Sequence, residues 1–432
     1  MPEIAAGRFV RYAGRRELSA VVCPPYDVID EAGRVELEEK DPHNFVRLIL
    51  PRAPAGEAEE ERYRRARGAL TAWIDEGVLA VDPQPSILAV EQTFAEGGAA
   101  HVRRGLFALV KLTEFSEGRI LPHERTLAGP KADRLRLLEA VGAQLSPIFV
   151  LYPDAANEVT GSLADVFARP PDEEAELDGV TNRAWRVTDP ARVRALRAAL
   201  ADRTGYIADG HHRYETALNH RRRAASTGRV VTGTALDYIP ALLCGMSDPG
   251  LLILPTHRLV HSLALDSRKL LRDLDRFFEA RPIELTDAET MRALLADAGS
   301  ARPSFGLVTP ETLRILTLRA DAPLASVPSL PAAPSLRALD VTLLHAVVFE
   351  HLLGMSRESQ ERQEHLRYSK SLGDAVQQVR TGKAVAAFLL NPTRMDQMRE
   401  VAQAGEVMPQ KSTWFYPKIV DGLALQRFDE PI

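Results

Sequence analysis

Gly205-Tyr206-Ile207-Ala208-Asp209-Gly210-His211-His212-Arg213-Tyr214 joins a short apolar run to a segment with helical spacing that continues to residue 225. The pattern predicts a strand over 205–208 passing through a glycine turn into a helix over 211–225. A helix start presents backbone N–H groups and the positive end of the helix dipole, so it favours an anion. Gly210 allows a sharp turn and close backbone approach to a ligand. His211, His212 and Arg213 add donors suited to phosphate oxygens. Asp209 is the acceptor among them; it could hold Mg2+, orient a histidine or take a hydroxyl proton. The competing reading makes Asp209 a helix cap and the histidines surface residues. Five polar or special residues in one strand-to-helix turn favour the phosphate site. His211 and Glu215, four apart, are expected to pair on one helix face.

Working outward, 190–202 reads as a helix with proline in its first turn, and 241–246 and 251–255 read as strands. Thr256-His257-Arg258 follows the second of these. Upstream, 18–23 reads as a strand entering Cys23-Pro24-Pro25-Tyr26-Asp27, where two prolines forbid a regular helix or a central strand. Helices are expected over 30–40, 57–76, 130–141 and 157–167, and strands over 45–50, 86–94, 102–112 and 148–152. Beyond 265 the pattern gives helices over 266–280, 288–299, 339–353, 372–381 and 394–404. A hairpin is expected over 304–308 and 312–318, a buried strand over 384–390, and a tail hairpin over 413–419 and 423–428 around Asp421-Gly422. The fold class is α+β (mixed α/β) and multi-domain. The expected regions are 1–168, 173–263, 264–335 and 336–432, with Arg169-Pro170-Pro171-Asp172 as a linker and 322–335 as a loop.

At 432 residues, two to four domains of about 100–200 residues are expected. The net charge of −5 lacks the basic excess of a nucleic-acid or membrane-surface protein. Two cysteines, Cys23 and Cys244, exclude a disulfide framework and fit a reducing compartment. Met1-Pro2-Glu3-Ile4 lacks the character of a secretory signal, and the apolar runs are too short to span a bilayer. A cytoplasmic protein is expected. Arginine dominates the basic residues, and lysine stands only at 40, 111, 131, 269, 370, 383, 411 and 418.

Three further clusters carry candidate chemistry. His123-Glu124-Arg125-Thr126, followed by Lys131, Asp133 and Arg134, offers Glu124 as a general base and Lys131 and Arg134 as a phosphate clamp. Its alternative is a solvated loop leading into a helix. Met408-Pro409-Gln410-Lys411-Ser412-Thr413 with Tyr416-Pro417-Lys418 concentrates two of the lysines and could close over a ligand. Thr256-His257-Arg258 is the third. Tyr26 and Asp27 are read as ligand-shaping residues and Cys23 as structural.

Cys23-Pro24-Pro25-Tyr26-Asp27-Val28-Ile29, His43-Asn44-Phe45, His123-Glu124-x-Thr126, Ser146-Pro147-Ile148-Phe149, the Asp209–Tyr214 run and Met408 through Lys418 together resemble the large bacterial family known only as domain of unknown function 1015. That family name supplies no activity. Locally, Asp209-Gly210-His211-His212-Arg213 is similar to the motif of the free-serine kinases in the ParB/sulfiredoxin superfamily, which implies a ParB/sulfiredoxin-like central region over 173–263. The resemblance implies that residues 209–213 bind nucleotide phosphates and that Glu124 is a candidate base. Sulfiredoxins carry a cysteine where His211 stands, which argues against sulfinic-acid repair. ParB proteins carry Glu-Arg-Arg after the glycine and a DNA-binding helical domain, whereas this chain has neither that motif nor a basic balance.

The expected activity is a nucleotide-dependent kinase phosphorylating a small hydroxyl substrate such as free L-serine, using Mg2+ with ATP or ADP. A phosphoserine-directed phosphatase and a ParB-like nucleotide-binding switch are the alternatives. In this reading Asp209, His211, His212 and Glu124 are catalytic, and Asp209 also holds metal. Gly210, Arg213, Lys131, Arg134, Lys411, Ser412 and Thr413 bind phosphate. Tyr26, Asp27, His123, His257, Arg258 and Lys418 contact substrate. The partners are a phosphorylated small molecule or a nucleotide, with neither membrane nor nucleic acid; a homodimer is left open.

Overall fold

The structure is a computed structural model that describes residues 3–14, 17–53, 56–126, 128–228, 233–284 and 287–432. Of the amino-terminal stretch read from the sequence, Met1 and Pro2 lie outside these residues. The chain is mixed α and β and forms two units. The first comprises the residues up to Pro122, Thr126–Leu252 and Phe415–Ile432; the second comprises His123–Arg125 and Ile253–Trp414. Residues 169–172 lie within the first unit, where Trp185 Nε1 donates to the Arg169 carbonyl at 2.9 Å and Asp172 N to the Ala184 carbonyl at 2.9 Å.

The first unit is built on a nine-stranded sheet. Its strands are β1 (Ile4–Ala5), β2 (Ile87–Glu96), β3 (Ala99–Lys111), β4 (Ile120–Leu121), β5 (Ile148–Tyr152), β6 (Glu173–Leu177), β7 (Val180–Val187), β8 (Gly205–Asp209) and β9 (Tyr238–Gly245). The order is β4-β8-β5-β9-β3-β2-β7-β6, with β1 added on β3. Strands β5 and β9 run parallel, Leu242 facing Phe149, while β9 and β3 are antiparallel, Ala241 facing Ala108. Every residue of β5 and β9 is buried, so their unbroken apolar runs reflect a strand covered on both faces. The expected strand at 205–208 and helix at 211–225 are β8 and the helix His211–Ser226. Tyr214, Ala217 and Leu218 on that helix pack with Ile148, Val150 and Leu243 of the sheet. A separate apolar cluster gathers Tyr12, Phe45, Tyr63 and Trp73 with Val420 and Leu425 from the carboxy-terminal segment.

The second unit holds a six-stranded antiparallel sheet made of β10 (His257–Val260), β11 (Phe278–Pro282), β12 (Ser304–Val308), β13 (Leu313–Leu318), β14 (Leu366–Ser369) and β15 (Ala386–Leu390), in the order β11-β13-β12-β15-β10-β14. The hairpin expected over 304–318 is β12 and β13. Helices Ala288–Ala301 and Leu372–Arg380 cover the sheet through Met291, Leu295, Ala375 and Val379. Among the described residues, no helix is long and apolar enough to cross a membrane.

Three expectations are corrected. The strand expected at 18–23 is a helical turn, Leu18–Val21, and the one expected at 45–50 is Val46–Ile49, also helical. Both runs are short and buried, and length and apolarity alone do not separate such a strand from a helical turn. The second is set by Asn44, whose side-chain oxygen accepts from Val46 N at 3.0 Å while its amide donates to the Ala20 carbonyl at 2.8 Å. The tail is not a hairpin: Gln426–Arg427 pairs with Ala143–Gln144, and Leu425 bridges to Val10.

Leu243 is fully buried at the centre of β9. Leu243→Ala is expected to lower unfolding free energy by about 2–5 kcal/mol, checked by urea titration.

Candidate active site

Gly210 adopts φ 90° between β8 and the helix His211–Ser226. A Cβ there would meet Ile148 Cγ2 at 2.8 Å and the Arg213 side chain at 3.0 Å, so both backbone and space demand glycine. The turn places Asp209 at the strand end and Arg213 one helical turn later. Lys418 Nζ donates to Asp209 Oδ2 at 2.6 Å, and Arg213 Nη2 lies 3.5 Å from Asp209 Oδ1. Arg213 also donates to the Pro147 carbonyl. Two cations therefore flank one carboxylate at the mouth of a 16-residue helix. Burial works against the Arg213 charge, but Asp209, Asp421 and Asp27 outweigh it and hold the guanidinium above its ordinary value.

Tyr26 and Arg134 form the neighbouring wall. The Arg134 guanidinium lies 4.3 Å over the Tyr26 ring and donates to Asp133 Oδ2 at 2.8 Å and to the Ile49 carbonyl at 2.6 Å. Burial, then Asp27, pushes the Tyr26 phenol up to about 12, so it is a neutral hydroxyl. Lys131 Nζ donates to Glu215 Oε2 at 2.7 Å and Thr126 Oγ1 to Glu215 Oε1 at 2.9 Å. Glu215 thus binds both Lys131 and Thr126. Tyr26, Arg134, Ser146, Arg213 and Thr216 line a cleft of about 40 Å³, which holds water but not a nucleoside.

Asp421, which reads from the sequence only as part of an Asp-Gly turn, belongs to this site. Its Oδ2 accepts from Ser146 Oγ at 2.7 Å, and its backbone bridges to Cys23. Burial raises its carboxyl to about 7; Arg213 and Ser146 oppose the rise, while Asp27 and Asp209 add to it. No local signal marks such a residue, because its burial comes from segments distant in sequence.

The other candidates belong to the second unit. His123 is buried, its Nε2 2.9 Å from Thr413 Oγ1, and Glu124 bridges to Met408 through the backbone. Arg258 is buried and donates to the carbonyls of Thr256, Gln410 and Lys411, the last two at 3.1 and 3.0 Å. It fixes the 409–413 loop, in which Lys411 takes φ 56° and Ser412 Oγ donates to the Pro409 carbonyl at 2.5 Å. His257 Nδ1 accepts from Leu390 N at 3.1 Å, and burial with Arg258 lowers its imidazole to about 4. It is a neutral acceptor tied to the sheet.

Asp209 was expected to ligate metal. Among the described residues, no three His, Cys, Asp or Glu side chains gather to hold one. Both Asp209 oxygens face cations.

The chain belongs to the family described as protein of unknown function (DUF1015), whose model matches residues 4–342. No curated protein matches it. It is similar to a conserved hypothetical protein from Pyrococcus furiosus, at 14% identity and a TM-score of 0.37, over 74% of this chain and 95% of that one. It is similar to a free serine kinase in complex with AMP, at 13% identity and a TM-score of 0.37, over 73% and 92%. SbnI with a C-terminal truncation from Staphylococcus aureus matches at 11% and 0.33, over 73% and 86%.

Between the ordinary carboxyl value of 3.8 and about 7, folded Asp421 keeps a proton that the unfolded chain releases. This group's contribution to unfolding free energy therefore falls as pH rises through that window and is constant above it. Asp421→Asn abolishes that slope. Urea titrations should show wild type exceeding the variant by more at pH 5 than at pH 8.

Proposed function

We propose that this protein is a nucleotide-dependent phosphotransferase acting on a small hydroxyl compound of the free L-serine class. The observation that carries the reading is the pair of cations, Lys418 and Arg213, bracketing Asp209 at a glycine-hinged helix start. Their charges converge with the helix dipole on one point, where they would stabilise the oxygens of a transferring phosphoryl group. The likeness of the Asp209–Arg213 run to the free-serine kinase motif is the reason for choosing serine and a nucleotide donor.

In this reading, Asp209 exchanges its bond to Lys418 for the substrate hydroxyl as Lys418 turns to phosphate. The freed carboxylate then accepts the hydroxyl proton as the O–P bond forms and the nucleotide's leaving phosphate departs. His212, beside Arg213 on the first helical turn, donates to the transferring group. Mg2+ would arrive on the nucleotide's phosphates, where it neutralises charge.

Purified protein supplied with serine and either ATP or ADP should yield phosphoserine. Lys418→Met should cut kcat/KM by about 100-fold or more while keeping the thermal midpoint, and His212→Ala should do likewise. Unchanged turnover in both variants would remove the site from the reaction. Phosphate release from phosphoserine without nucleotide would instead mark a phosphatase.

A further inference from the structure

The second unit contains a cavity of about 330 Å³, within the range of small-molecule sites. None of the residues assigned to phosphotransfer above lines it. Its apolar wall comes from Pro331, Leu336, Ala346, Val407 and Pro409. One side is a nine-residue π-helix, Leu344–Leu352, closed by Leu353 N donating to the Val348 carbonyl at 2.9 Å. Wide turns of this kind are rare and concentrate at functional sites. The five-residue repeat brings His345 and Glu350 to the same wall.

The polar groups define what the cavity would accept. His345 is fixed in its neutral form: Nε2 accepts from Arg258 Nε at 3.3 Å, so Nδ1 carries the proton and donates to Gln360 Oε1 at 2.7 Å. Arg125 is 3.8 Å from Glu361, which balances that pair. The remaining charged lining residues are Arg357, Glu350 and Glu406, which leaves the lining with one excess negative charge. Among the described residues, neither Glu350 nor Glu406 takes part in an ion pair. Thr342, 2% exposed, and Gln410 also line the cavity, and Thr342 Oγ1 and Gln410 Nε2 lack a hydrogen-bond partner. Buried polar atoms of this kind are ordinarily satisfied by protein, water or ligand.

We propose that this cavity binds a small amphipathic amine, cationic or zwitterionic, whose apolar body packs on Leu336 and Val407 and whose ammonium group is held by Glu350 and Glu406. Thr342 and Gln410 would bond to polar atoms along the body. A carboxylate of the same shape, lacking the amino group, is rejected by the excess negative charge.

Three matched probes test this on the full chain by calorimetry and thermal shift: phenethylamine, phenylalanine and hydrocinnamate. The amine and the amino acid should bind and raise the melting temperature, and hydrocinnamate should do neither. Glu350→Gln with Glu406→Gln should weaken the amine by about tenfold or more, as expected for losing charge-assisted contacts. Leu336→Trp should fill the cavity and abolish both complexes; if that variant does not fold, the paired glutamate substitutions decide. Failure of all three probes, hydrocinnamate binding as tightly as the amine, or wild-type affinity in the glutamate variant would overturn the proposal.

Discussion

Arg213 is a buried guanidinium whose partners include one neighbour on its own turn, Asp209, and three groups distant in sequence. It donates to the Pro147 carbonyl, pairs with Asp209, and feels the charges of Asp27 and Asp421. An unpaired charge in that position would be strongly destabilising, so the surrounding segments are constrained to arrive together. The glycine hinge, the Ser146-Pro147 approach to β5 and the return of the carboxy-terminal segment all converge on this one group. The same convergence concentrates positive charge at the helix mouth, because Lys418 enters on the segment that also brings Asp421.

The second unit solves a comparable problem differently. Arg258 is buried, and backbone carbonyls and a neutral histidine receive its protons. Burial lowers its value to about 10, which still leaves it cationic at neutral pH. Its ring contact with Tyr368, 5.2 Å from the centroid, adds to that stabilisation. The loop carrying Lys411 is thus held by a charge whose location the sequence does not disclose.

The strand-to-helix turn was legible because its signal is local: a short apolar run, a glycine needing positive φ, and a long polar helix all sit within one window. The hairpin at 304–318 was legible for the same reason. Residues 18–23 and 45–50 were misread because a buried helical turn and a buried strand share composition, and Asn44 decides the matter through a contact 24 residues away. The tail misled because Asp421-Gly422 has the chemistry of a hairpin turn, while the segment after it finds partners at Val10 and Ala143. Site residues divided similarly. Asp209, Gly210 and Arg213 were visible in one motif. The Lys418 contact was beyond local reading, although the scarcity of lysine drew attention to that residue. Lys131 and Arg134 already engage Glu215 and Asp133, a commitment invisible without tertiary contacts.

The second unit interrupts the first in sequence, and this has a bearing on biogenesis. By the time residue 252 leaves the ribosome, all nine strands of the sheet have been synthesised, yet Arg103 lacks the Pro417 carbonyl that it will bond at 2.7 Å. The intervening 253–414 segment must then be translated before Phe415–Ile432 can complete the first unit. A nascent chain therefore spends a long interval with a charged, unfinished core, the period in which a chaperone would have most to protect.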